Sequence, residues 1–168
     1  MGEPSQTDLV ARLEVMEARL EACEDREQIR ELFNRYNFGA DTGDAKTYAE
    51  TFAEDGVFDT GRGEVTGRET FFNMIEDPAG GHKTAIESKG SLHTIGSVTI
   101  GLDGDRAWAE GPSMVWVRED KSYRVFVAAY NHWDLVKQNG RWFVARRTAK
   151  GVAPNKAKAV LTAYRVDS

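Results

Sequence analysis

The sequence predicts an α+β domain in which helices cover one face of a curved, mixed but mostly antiparallel sheet. Two observations carry that reading. Before Gly90 apolar residues recur at steps of three and four, the period of a helix; after Gly90 they alternate with polar ones, the period of a strand. Helices first and strands afterwards, with no repeating helix–strand unit, separates this class from the parallel α/β folds. A length of 168 residues suits a single domain whose core is wide enough to enclose a cavity.

Leu9, Leu13, Met16 and Leu20 form the stripe of an amphipathic helix within residues 1–24, read as a packing or interface element. Cys23 lies on the same stripe as a small apolar filler. A second helix is expected from about Asp25, with Ile29, Leu32, Phe33 and Tyr36 on its core face and Gly39 stopping it. Asp44 suits the cap of a short helix in AKTYAETFA, where Tyr48 and Phe52 share a face and EDG closes the segment. VFDTGRGEV reads as two short strands around a glycine turn, and GRETFFNMIED as a third helix with Phe71, Met74 and Ile75 inward. From Asp77 to Gly90 a long mobile loop is expected, leaving His82 solvated or touching substrate as a lid residue.

SLHTIGSVTIGL, RAWAEGPSMVWVRED, KSYRVFVAAYNHWDLVKQ and RWFVARRTAK then read as a meander of long strands with turns at LDGD and QNG. The main domain is placed at 25–152, and an Ala-rich tail or short helix at 153–168. Alternation along the third of these strands puts Tyr123, Val125, Val127, Ala129, Asn131, Trp133 and Leu135 on the inward face, with His132 outward. Asn131 is then a polar group in an apolar row and needs a partner or a ligand. On the preceding strand Ala107, Ala109, Gly111, Ser113 and Val115 are small, which leaves room on the concave side.

Composition removes several function classes. The net charge of −5 argues against a nucleic-acid surface, which needs clustered Lys and Arg. No apolar run approaches the roughly 20 residues of a membrane span, so no membrane association is expected. One cysteine and three scattered histidines give no zinc spacing; there is no phosphate-binding glycine loop and no serine elbow. The N-terminus lacks the layout of a secretory signal, and a cytoplasmic location is expected.

EDREQIRELFNRY, Asp41 and Asp44 in ADTGD, FAEDGVF, the histidine of SLHTIGSVTI, the LDGDRAWAEG hairpin and NGRWFVARR occur in this order over residues 25–150. In that order the chain resembles the SnoaL-like and scytalone-dehydratase-like branch of the nuclear-transport-factor-two-like superfamily. The resemblance implies a cone-shaped α+β barrel wrapped by three N-terminal helices around a deep hydrophobic pocket. It also implies a homodimer or homotrimer and no metal or organic cofactor. In scytalone dehydratase, the bile-acid dehydratase and the dehydrochlorinase relatives an Asp–His pair carries elimination chemistry, and the matching positions here are Asp41 and His93. Tyr36 matches a tyrosine five positions before the aspartate, and Asn131 a ligand-contacting asparagine. The chain departs from those dehydratases at Val115, where they carry a second polar acid. It departs again near Gly151, where a late arginine is missing and Arg147 or Lys150 stands in.

A neutral imidazole can take a proton from carbon while a carboxylate on its other nitrogen fixes the tautomer. The expected catalytic set is therefore His93 as base, Asp41 orienting it, and Tyr36 or Tyr123 donating to a developing oxyanion or a departing hydroxyl. Asn131, Tyr123, Val115, Arg147 and Tyr48 are the expected contacts to a small hydrophobic, ring-bearing substrate. Isomerisation or carbon–carbon cleavage would use the same base, and a non-catalytic binding module or a partner-binding scaffold would use the same fold. Taken singly, Asp41 also suits a turn and His93 a satisfied core histidine.

Overall fold

The structure, a computed structural model, describes residues 5–162. Helix α1 runs without a break from Gln6 to Thr42. Ser5 and Asp8 form a capping box, the Ser5 hydroxyl accepting from the Asp8 amide and the Asp8 carboxylate from the Ser5 amide. The two helices expected on either side of Asp25 are thus one, because nothing in ACEDREQ breaks a helix. Leu9, Leu13, Met16 and Leu20 are more than half exposed, and burial begins at Asp25. That carboxylate accepts from the Trp142 indole at 2.8 Å and from Lys137 Nζ at 2.9 Å, fastening the middle of α1 to the sheet.

Gly39 does not stop α1; the left-handed residue that ends it is Gly43, at φ 70°. Gly39 is needed for a different reason. Helix α2, Ala45–Ala49, crosses so closely that a Cβ on Gly39 would sit 2.6 Å from the Tyr48 amide nitrogen. Asp44 caps α2 as expected, but the chain then enters strand β1, Phe52–Asp59, four residues before the anticipated close of the helix. Long-range pairing decides this: β1 lies parallel to the last strand with Phe52 opposite Val144, and a bulge containing Gly56 follows.

Strand β2, Glu64–Thr66, pairs back on β1, and helix α3, Arg68–Glu76, turns Phe71 and Ile75 into the core with Met74 partly covered. Phe71 stacks on Phe52 with ring centroids 4.0 Å apart. The segment expected to be a long loop is instead ordered as a π-helical turn, His82–Ile86, and a 3-10 turn, Glu87–Lys89. Lys83 and Glu87, spaced four apart, pair at 2.9–3.0 Å and support it.

SLHTIGSVTIGL divides into β3, Ser91–Ile95, and β4, Thr99–Asp103. Both lie along the same edge of β5, Arg106–Glu119. The break falls opposite Pro112, which has no amide to donate, and over Gly111, whose Cβ would meet the Ser97 carbonyl at 2.7 Å. Strands β6, Ser122–Gln138, and β7, Arg141–Gly151, complete a seven-stranded sheet in the order β2-β1-β7-β6-β5-β3, with β4 beside β3 on β5, curved but not closed. Their hairpin turns at Asn139 and Gly140, φ 51° and 74°, the type I′ geometry that the pair favours. A short helix α4, Pro154–Val160, follows; the tail from 163 to 168 lies outside the described residues.

A Gly39→Ala chain would gain about 1 kcal/mol of helix propensity but must push α2 away. The clash is against backbone, so a net loss of about 1–3 kcal/mol in unfolding free energy is expected by urea denaturation. An unchanged midpoint would show that α2 can shift freely.

Candidate active site

Register alone gathers the polar residues of the sheet. His93 pairs with Val115, Ser113 and Gly111 follow on the same face of β5, Gly111 pairs with Asn131, and Trp133 pairs with Arg147. Cross-strand partners and alternate residues share a face, so His93, Ser113, Asn131 and Arg147 all project from the face that α1 covers. Asp41 and Tyr36 reach it from α1, separated by about 7.5 Å of helix rise.

Asp41 stands in the last turn of α1 and receives hydrogen bonds from three donors. Its Oδ1 is 2.7 Å from His93 Nδ1 and 2.9 Å from the Ser91 hydroxyl, and both oxygens are 2.9 Å from the His93 amide. Burial pushes this carboxyl up, but the His93 ring and amide, with the Ser91 hydroxyl, overcome that and hold it below its ordinary value of 3.8. In the neutral ring, an ionised carboxylate on Nδ1 requires the Nδ1–H tautomer, in which Nε2 carries the lone pair. No described residue hydrogen-bonds Nε2, and the His93 side chain is 12% exposed.

His82, expected in solvent, is the residue that sequence reasoning missed. Its side chain is 8% exposed and its ring stacks beside that of His93, centroids 6.3 Å apart. Neither ring nitrogen makes a hydrogen bond, since Glu87 Oε2 is 3.7 Å away. Burial, then the neighbouring His93, lowers its pKa below the ordinary histidine value. The signal for its order was the Lys83–Glu87 spacing inside the supposed loop.

The second cluster is centred on Arg147. Of the adjacent pair, Arg147 faces inward and Arg146 pairs with Glu64 outside, while Lys150 pairs with Asp59 at 2.7 Å. Arg147 donates to Asn131 Oδ1 from Nε and Nη2, at 3.0 and 2.8 Å, to the Ser113 hydroxyl at 3.4 Å, and to the Tyr36 hydroxyl. Asn131 in turn donates to Ser113 Oγ at 2.9 Å; fully enclosed, it holds Arg147 in place and presents no surface to a ligand. Tyr48, also buried, sits 3.2 Å from the Tyr36 hydroxyl, and burial, followed by the neighbouring Tyr36, keeps its own hydroxyl protonated.

Tyr123 does not belong here. It is 71% exposed and lines an outer cleft of about 600 Å³ with Leu92, Trp116 and Arg118. The inward row of β6 holds from Ala129 to Leu135 and fails before it, where Val125 and Val127 are also exposed. A register shift in β5–β6 at Val115 and Trp116 resets the faces, and β7 ends opposite Ala129. Val115 is partly buried and pairs with His93 across β3 and β5. His132 faces outward, bonded at Nδ1 to the buried Glu110 at 2.9 Å.

A curved, unclosed, mostly antiparallel sheet beneath N-terminal helices marks a cystatin-like α+β protein. The chain belongs to the SnoaL-like domain family, whose model matches residues 21–148. It is similar to an NTF2-like protein with a cystatin-like fold from Novosphingobium aromaticivorans, 28% identical, with TM-score 0.77 over 95% of this chain and 99% of the other. A Mycobacterium tuberculosis protein of unknown function is 22% identical, with TM-score 0.71 over 84% of this chain and 80% of the other. A Novosphingobium aromaticivorans protein provisionally named scytalone dehydratase is 18% identical, with TM-score 0.66 over 79% and 87%. No curated protein sequence matches the chain. Among the described residues no helix is long and apolar enough to cross a membrane, and no group of three His, Cys, Asp or Glu could hold a metal ion.

Because the folded pKa of Asp41 is depressed, the stability it contributes is present above pH 3.8 and is lost as pH falls through the folded value. Wild type should therefore exceed Asp41→Asn in urea stability near neutral pH, and the gap should close on acidification below pH 3.8. A gap that persists unchanged in acid would assign the difference to shape and not to charge.

Proposed function

We propose that the chain is a lyase working without a cofactor, which removes a proton from carbon and expels a leaving group, in the simplest case water, from a small hydrophobic ring-bearing substrate. The observation that supports this most is the 2.7 Å contact between Asp41 Oδ1 and His93 Nδ1, which leaves Nε2 as a free base. His93 Nε2 takes the proton, the C–H electron pair becomes the new double bond, and the bond to the leaving oxygen breaks. The departing hydroxide accepts a proton from the imidazolium and leaves as water, so His93 is neutral again at the end of the cycle. Asp41 stabilises the imidazolium in between.

Arg147 and Tyr36 suit the oxygen on which charge develops. A guanidinium and a phenol fixed beforehand by Asn131, Ser113 and Tyr48 need no reorganisation during the reaction. The resemblance in fold to the provisionally named scytalone dehydratase agrees with this reading. Assembly as a homodimer or homotrimer is part of the same proposal.

A panel of ring-bearing β-hydroxy acids, ketones and thioesters, followed by mass for loss of one water, tests the reaction. Against any compound turned over, His93→Ala should lower kcat about 10²–10⁴-fold while leaving the circular dichroism spectrum intact. Near-normal turnover by that variant would contradict the assignment of the base. Exchange of a substrate proton with solvent, without loss of mass, would point to an isomerase using the same base.

A further inference from the structure

Arg147 brings a full positive charge to the inner face of the sheet, only 7% exposed, and every partner it has there is neutral. They are the oxygens of Asn131, Ser113 and Tyr36. Among the described residues no carboxylate oxygen lies within 4.0 Å of its nitrogens, although its neighbours Arg146 and Lys150 each have one. A guanidinium does not lose its proton, so the charge cannot be relieved by titration. Buried charges are ordinarily paired, because an unpaired one forfeits its hydration for nothing. The rings of Phe58, Tyr36 and Trp133, with centroids 4.5, 5.1 and 5.7 Å from the guanidinium carbon, offset only part of that cost.

Counting donors shows where the missing charge would go. Four contacts occupy Nε, one hydrogen of Nη1 and both of Nη2, which leaves one Nη1 hydrogen beside the Tyr36 hydroxyl. Tyr36 Oη already accepts from Arg147, and with Tyr48 donating as well its own hydrogen is free to point elsewhere. Two donors, the last Nη1 hydrogen and the Tyr36 hydroxyl, are thus left side by side with no acceptor among the described residues.

We propose that this pair of donors receives an anionic oxygen of the ligand, so that the site selects ring-bearing molecules that carry a carboxylate. The inference rests on the reading of the concave face as the ligand site and deepens it by naming the substrate class. Asn131 and Ser113 act as positioning residues, holding the guanidinium so that its last N–H faces the ligand.

The test is calorimetric binding to the full chain of ring-bearing carboxylates, each beside its own carboxamide: benzoate and benzamide, cinnamate and cinnamamide, naphthoate and naphthamide. Each pair keeps its shape and changes only the charge. Carboxylates should bind about tenfold more tightly or better, the scale of a hydrogen bond to a charged group. Arg147→Met should abolish the preference and Arg147→Lys should keep part of it. If the Met variant fails to fold, the wild-type pairs decide alone. Carboxamides binding as tightly as carboxylates, no carboxylate binding at all, or a folded Met variant that keeps the preference would each overturn the proposal. The preference should survive in His93→Gln, since it needs no turnover. Failure of the elimination reading therefore leaves this outcome readable, and equal binding within pairs alongside His93-dependent turnover would overturn the anion site alone.

Discussion

The carboxylate of Asp41 is where helix and sheet meet, and the rest of the site depends on it. It stands in the last turn of α1, a turn with no basic residue, where the helix dipole disfavours negative charge. A carboxylate in that place survives because strand β3 supplies the compensation: the His93 amide, the Ser91 hydroxyl and the His93 ring all point at it. One residue thereby sets the distance from α1 to the sheet edge and the tautomer of the imidazole. The local violation of helix chemistry is itself the signature of a site that folding alone would not have chosen.

A second constraint comes from the sheet. Ala107, Ala109, Gly111 and Ser113 give β5 a face with little side-chain bulk, and β6 and β7 place Asn131 and Arg147 across it. Phe58, Tyr36 and Trp133 close over the guanidinium, and the arginine is held by neutral groups from three elements. Order is imposed on the lid side as well. The His82–Ile86 turn, an uncommon π-helical piece of the kind that accompanies functional sites, lays a second imidazole against His93.

Much of this was legible in the residues. The period change at Gly90 predicts the order of helices and strands, Asn139-Gly140 marks its hairpin, and Asp41 and His93, paired by the resemblance, stand 2.7 Å apart. What escaped depends on contacts far apart in the chain. Gly39 looks like a helix stop because nothing local reports that α2 will cross it. Tyr123 and Val125 continue the alternation of Asn131, yet a bulge and the end of β7 remove their cover. Cys23 and Asp25 offer no boundary where one was drawn between two stripes, because the stripe ends when the sheet begins and not when the helix does. Arg147 could be named as a candidate, but its lack of a carboxylate partner is visible only once its neighbours are assembled.

The central claim is that Asp41 holds His93 as the Nδ1–H tautomer with Nε2 free. Nitrogen-15 NMR of the histidine rings above neutral pH reads this directly, because protonated and lone-pair nitrogens differ widely in chemical shift. The account predicts a protonated Nδ1 and an unprotonated Nε2 for His93, with the tautomer preference lost in Asp41→Asn. An Nε2–H tautomer in the wild type, or a spectrum that Asp41→Asn leaves unchanged, would contradict it.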